Sequence, residues 1–228
     1  MTTGGAGGTG NYAEILSGGA QNVSASGMTL TGGAGGTYNY AGIASVLGGQ
    51  SITVGSGGIT INGGAGSGGD NFAGFHQYDT AAGQTIAVTD AGGIILNGGT
   101  VGTSNYADIN SSGAQNVSAS GMTLAGGAGG TYNYAKISSN DDQQISTSTA
   151  AGITLQGGAG ASYGNFALIE HGTGGGNQAI SIYGGSVTLA AGSGSGTTNV
   201  ANLVPWVCAY DDSICNAQPV TGDWAGIS

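Results

Sequence analysis

The chain has 228 residues, 52 of them glycine, with only 5% charged and 39% hydrophobic; that apolar share is too high for a solvated linker, and no G-X-Y period occurs, so neither a disordered Gly-rich tether nor collagen fits. One cation, Lys136, against 11 Asp and Glu leaves a formal net charge of −10, which excludes the cationic footprint of a nucleic-acid or anionic-membrane binder. No apolar run approaches the roughly 20 residues that cross a bilayer, and Met1-Thr2-Thr3-Gly4 lacks the charged and apolar parts of a secretion signal, so any export signal is expected outside this chain.

After a Gly-rich opening, the first unit reads as three short segments of period 2: Asn11-Tyr12-Ala13-Glu14-Ile15, then Gln21 with Val23 and Ala25, then Met28 with Leu30, closed by a GGAGG turn at 32–36. The second unit repeats the plan with Asn39, Tyr40, Ala41 and Ile43, then Gln50, Ile52 and Val54, then Ile59 and Ile61. The third has Asn71, Phe72, Ala73 and Phe75, then Gln84, Ile86 and Val88, then Ile94 and Leu96. The fourth brings Asn105, Tyr106, Ala107 and Ile109, Gln115, Val117 and Ala119, Met122 and Leu124. Units five and six follow with Asn133, Tyr134, Ala135, Ile137, Gln143, Ile145, Ile153 and Leu155, and with Asn165, Phe166, Ala167, Ile169, Gln178, Ile180, Ile182, Val187 and Leu189. Asn199, Ala201 and Leu203 open a seventh, with Val200 in the aromatic place.

The asparagines lie 28, 32, 34, 28, 32 and 34 residues apart, so a triplet of units is duplicated whole. Residues 22–41 recur at 116–135 with Thr31 answered by Ala125 as the only change. Internal periods of this length mark solenoids. The pattern predicts an all-β protein without significant helix over residues 1–204. It is a parallel β-helix of about seven three-stranded coils of 28–35 residues, a rod on the order of 30 Å long at one strand spacing per coil. Asn, Ala and the fifth residue of the first segment should face inward, and Glu14, Gly42, Gly74, Asp108, Lys136, Leu168 and Asn202 outward. Like residues then stack on like. Buried Asn11, Asn39, Asn71, Asn105, Asn133, Asn165 and Asn199, and Gln21, Gln50, Gln84, Gln115, Gln143 and Gln178, are tolerable if each amide bonds the identical amide one rung away.

Residues 205–228 hold both prolines, both tryptophans and both cysteines, and are expected to form a cap or the start of another module. Cys208 and Cys215 read as a local disulfide of an oxidising compartment, with free buried thiols or a reactive pair as the alternatives.

Coils of the form G-I-T-L-x-G-G-A-G-G-x-x-N-Y-A-x-I-x-x-x-G-x-Q-x-I-x-V, over about residues 4–204, resemble filamentous-haemagglutinin-type exoproteins exported by two-partner secretion. The resemblance implies a right-handed β-helix, secreted or displayed on a bacterial cell surface, that adheres to glycans or proteins of host or neighbouring cells. The rival class is a self-assembling filament whose open coil ends take copies of the same chain. No cofactor is expected.

Tyr12, Tyr40, Phe72, Tyr106, Tyr134 and Phe166 form the best candidate ligand surface, because ring faces at regular spacing suit stacking on sugars or a partner's aromatics; alternatively each ring packs under its own GGAGG loop. Thr29, Thr60, Thr123, Thr154 and Thr188, interrupted by Ile95, form a possible flat hydroxyl array such as ice-binding solenoids present, although Thr is also an ordinary outward strand residue. No catalytic or metal site is read. GGAGG turns lack the Asp of a calcium roll, and the G-x-S-x-G at 160–164 lacks a strand-to-helix context. His76 and His171 are three coils apart and are expected as exposed loop residues. Asp79, Asp141, Asp142, Glu170, Asp211 and Asp212 are scattered over loops, whereas polysaccharide lyases and hydrolases, the β-helical enzymes, need clustered carboxylates with a metal or cation.

Overall fold

A computed structural model describes residues 1–160, 162–172, 174–193, 199–204 and 225–227. Its strands in chain order are Thr2–Thr3 (β1), Ala13–Ser17 (β2), Gln21–Ala25 (β3), Met28–Thr31 (β4), Ala41–Ser45 (β5), Gln50–Val54 (β6), Ile59–Asn62 (β7), Ala73–Gln77 (β8), Gln84–Val88 (β9), Ile94–Asn97 (β10), Ala107–Ser111 (β11), Gln115–Ala125 (β12), Ala135–Ser139 (β13), Gln143–Gln156 (β14), Ala167–His171 (β15), Gln178–Ile182 (β16), Val187–Ala190 (β17), Ala201–Val204 (β18) and Ala225–Ile227 (β19). No helix occurs among the described residues. All pairing between these strands is parallel and runs from one coil to the next, which is a β-solenoid.

The first segments make one sheet, in the order β19-β18-β15-β13-β11-β8-β5-β2, and the second and third segments share an 11-stranded sheet. Register follows the repeat: Ala13 pairs Ala41, Ala41 pairs Ala73, and so on through Ala107, Ala135, Ala167 and Ala201. The second segment occurs six times (β3, β6, β9, β12, β14, β16), giving about six turns where seven were expected. Three separate strands per coil also fails in the fourth and fifth coils, where short or extended corners let the second and third segments run on as β12 and β14. The ladder does not end at Val204, since Ala225 of β19 pairs Ala201 of β18. Cys208 and Cys215, and with them the expected disulfide, lie outside the described residues.

Between the sheets run columns of fully buried aliphatics, among them Ile43, Ile109, Ile137, Ile52, Ile86, Leu96 and Leu124, with Phe75 the largest. In the first coil β2 and β3 have a paired neighbour on one side only, and the inward Ile15 of β2 is 48% exposed. The outward positions depart from expectation in the middle of the rod: Gly42, Gly74 and Asp108 are buried.

The two amide columns solve their burial differently. Each Gln behaves as expected: Nε2 of Gln50, Gln84, Gln115, Gln143 and Gln178 donates to Oε1 of the preceding Gln at 2.6–2.9 Å. The Asn column does not form an amide-to-amide ladder beyond its first step. Instead the backbone N–H of each Asn donates to Oδ1 of the next, at 2.8–3.1 Å. The Nδ2 groups donate to carbonyls of the Gly-rich turns, as Asn105 does to Gly66, Gly68 and Val101. The Asn side chain is one methylene shorter than Gln, so it reaches its own corner rather than the next amide.

That corner explains the paired glycines. A Cβ on Gly99 would stand 2.4 Å from Asn105 Cβ and 2.3 Å from the Asn105 carbonyl oxygen. The Gly99 N–H donates to that same carbonyl at 2.6 Å, so the chain closes on itself with no room for a side chain. The residue before the buried Asn is held in the left-handed region in successive coils, at φ of 59° for Tyr38, 58° for Asp70, 55° for Ser104 and 57° for Tyr132.

Candidate functional site

The six aromatic residues immediately precede their first-segment strands, and strand register places them directly above one another. Tyr12, Tyr40, Phe72, Tyr106, Tyr134 and Phe166 stack face to face, with ring centroids 4.7–5.0 Å apart and planes within 7°. The rings pack on each other, at the strand spacing, so inside the column their faces are taken and their edges are what the surface presents. Tyr12, at the end of the stack, is 61% exposed and the other five are half-buried.

Beside the stack the outward positions of the same sheet carry charge. Glu14 Oε2 accepts from the Tyr40 hydroxyl at 3.4 Å. Lys136 Nζ donates to Glu170 Oε1 at 3.0 Å and lies 5.9 Å from the Tyr134 ring centroid. Burial first, then the negative charge of Glu14, pushes the Tyr40 phenol up to about 12. Tyr106 and Tyr134 are pushed up further, chiefly by burial and then by Asp108.

Between these groups sits a constellation that the sequence reading missed. His76 is not a loop residue: it lies on β8 with its side chain 13% exposed, and its Nε2 is 2.8 Å from Asp108 Oδ1. Its Nδ1 is 3.1 Å from the Tyr78 hydroxyl. Asp108 and His76 come from adjacent coils, and Asp108 reaches across Gly74, where a Cβ would stand 2.2 Å from its Oδ1. Burial lowers the imidazole pKa, but the charge and hydrogen bond of Asp108 outweigh it, and the net shift is upward. A carboxylate, an imidazole and a phenol in line are the parts of a proton relay. Burial holds the Tyr78 proton more tightly than usual, however, so the line is not set up to make a phenolate nucleophile. The pairing was legible only if outward positions, too, were read as columns.

His171 is likewise misplaced by the sequence reading. It lies on β15, 1% exposed, in the inward column of Ser45, Gln77, Ser111 and Ser139, and neither ring nitrogen has a hydrogen-bond partner among the described residues.

The Thr column is in the expected register, Thr29 beside Thr60 and Thr123 beside Thr154 beside Thr188, with Ile95 interrupting it. Asp141 and Asp142 are exposed in a turn, where Asp142 Oδ1 accepts from the Asn177 N–H at 2.7 Å. Among the described residues no three His, Cys, Asp or Glu side chains are grouped to hold a metal ion, and no helix is long and apolar enough to cross a membrane. No family model matches the chain, and neither a curated protein nor a solved structure shows significant similarity to it.

Proposed function

We propose that the chain is a non-catalytic, adhesive stretch of a secreted or cell-surface bacterial fibre, of the filamentous-haemagglutinin kind its coils resemble. The observation that carries the reading is the lateral stripe of six stacked rings, flanked on the same sheet by Glu14, His76, Asp108, Lys136 and Glu170. The buried amides and aliphatics are spent on holding the rod together, which leaves this stripe and the loops as its means of contact with glycans or proteins of another cell.

Attachment of protein-coated beads to cells tests this. Lys136→Glu together with Tyr40→Phe and Tyr134→Phe keeps the ring stack and inverts or removes the polar edge. Attachment should fall severalfold while the circular dichroism spectrum is unchanged. Attachment equal to the parent would remove the stripe from the contact surface.

The alternative, end-to-end assembly with copies of itself, is supported by the first coil. Among the described residues β2 and β3 each pair on one side only, and Ile15 and Leu16 of β2 are exposed. Rods longer than one chain in electron micrographs would favour it, and monodisperse particles at high concentration would count against it.

A further inference from the structure

The corner between second and third segments varies in length along the rod. Two residues separate Ala25 from Met28 and Ala119 from Met122, but five separate Val88 from Ile94 and Thr147 from Ile153, and four separate Ile182 from Val187. Duplication of the triplet therefore sets a short-corner coil between long-corner coils, and the surface is recessed there. The recess is a notch of about 300 Å³, at the small end of the range of ligand pockets, about 300–1,000 Å³. Ser118 of the short coil lines it, with Thr89 and Asp90 from the coil before and Thr147, Ser148 and Tyr183 from the coils after.

Three features of this lining suit one ligand chemistry. Ser118, Ser148 and the Tyr183 phenol make no side-chain hydrogen bond within the described chain, and the Tyr183 ring is 67% exposed. Asp90 supplies a carboxylate acceptor whose Oδ2 is 3.4 Å from the Thr89 hydroxyl. Hydroxyls, one acceptor carboxylate and an open aromatic ring are complementary to a sugar, whose hydroxyls donate and accept and whose apolar face covers a ring. No cation lines the notch; Lys136, the only Lys or Arg, lies on the other sheet.

We propose that this notch is a binding site for a neutral or amino-bearing saccharide, not an acidic one. The proposal rests on the adhesive reading only for where such a saccharide is met; binding itself is a property of the isolated protein.

Isothermal titration with cellohexaose, with chitosan hexamer and with an oligogalacturonate tests it. Cellohexaose or the chitosan hexamer should bind at millimolar concentration or tighter, and the oligogalacturonate should not. Ser118→Tyr fills the notch, and Ser24→Tyr places the same ring at the duplicate position of the first coil. The former should weaken binding about tenfold or more and the latter leave it unchanged, with Tyr183→Ala also weakening it. Tyr183→Ala decides the matter alone if Ser118→Tyr fails to give the parent circular dichroism spectrum. Absence of binding by both non-acidic probes, equal binding of the oligogalacturonate, or undiminished binding in Tyr183→Ala overturns the proposal. Cell attachment that persists without saccharide binding would sink this inference and leave the lateral stripe standing; saccharide binding without attachment would do the reverse.

Discussion

Gln84 Nε2 donates to Gln50 Oε1 at 2.8 Å, and Gln84 Oε1 accepts from Gln115 Nε2 at 2.8 Å, with all three side chains at most 2% exposed. The same side chain therefore closes two rungs, and its loss is felt in two coils. Gln84→Leu keeps the volume but removes Gln50's donor and one acceptor of Gln115. Leaving a buried polar group unpaired costs about 1–3 kcal/mol, so the variant should lose about 2 kcal/mol or more in urea denaturation. Hydrogen exchange should accelerate first in β6, β9 and β12. Loss confined to β9 would show that the ladder does not couple coils.

The corner glycines should be less replaceable than their number suggests. Gly99→Ala forces a Cβ to 2.3 Å from a backbone oxygen that cannot rotate away, whereas Gly7 has nothing within 4 Å of its Cβ position. Overpacking of this kind costs about 1–3 kcal/mol and occasionally more. Gly99→Ala should lie at or above that range and Gly7→Ala within about 0.5 kcal/mol of the parent, as surface changes usually do. Equal melting temperatures for the two variants would refute the account of the corner.

The repeat made the fold legible because inward positions must match from coil to coil, and Ile, Val, Leu and Gln columns are visible as spacing alone. What it hid were relations that depend on neighbours across the outward face. His76 looks isolated in sequence, and only the register with Asp108 in the next coil, over the bare backbone of Gly74, makes it a partner. The Asn and Gln columns look alike in sequence, and only the shorter side chain turns Asn to the corner carbonyls. The aromatic places recur in sequence as single rings, and it is the strand spacing, close to the thickness of a ring, that joins them into a stack. The notch arises where corners of unequal length lie side by side, a relation that appears only once the coils are stacked.

The ring stack predicts a distinctive alkaline behaviour. Burial raises the phenols of Tyr106 and Tyr134 above their ordinary range in the folded rod, so the fold holds protons that the unfolded chain, titrating near pH 10, releases. That stability is complete below about pH 10 and declines as pH rises toward the folded values. Tyr106→Phe with Tyr134→Phe keeps the stack, as Phe72 and Phe166 do naturally. The double variant should match the parent at pH 7 and exceed it in thermal stability near pH 11. A second comparison uses deletion of a ring: Tyr106→Ala breaks two stacked contacts and Tyr12→Ala one. At about 0.5–1.5 kcal/mol per pair, the former should cost at least twice the latter.

The His76–Asp108 pair should make the rod most stable, relative to a variant without it, in mild acid. His76 has a folded pKa raised above its unfolded value, so its contribution is fully present below the unfolded pKa of about 6.5 and is lost as pH rises through the folded pKa. Asp108→Asn keeps the shape and removes the charge that holds the imidazolium, leaving burial, which lowers the pKa, unopposed by that carboxylate. The parent should therefore exceed Asp108→Asn in unfolding free energy at pH 5.5, and the gap should close by pH 9. Proton NMR reads the cause directly, because the chain has only two histidines: the His76 resonance should titrate above 6.5 in the parent and below it in Asp108→Asn. A gap in stability that is the same at pH 5.5 and pH 9 would mean that Asp108 acts through packing over Gly74, and the imidazolium would have no part in holding β8 to β11.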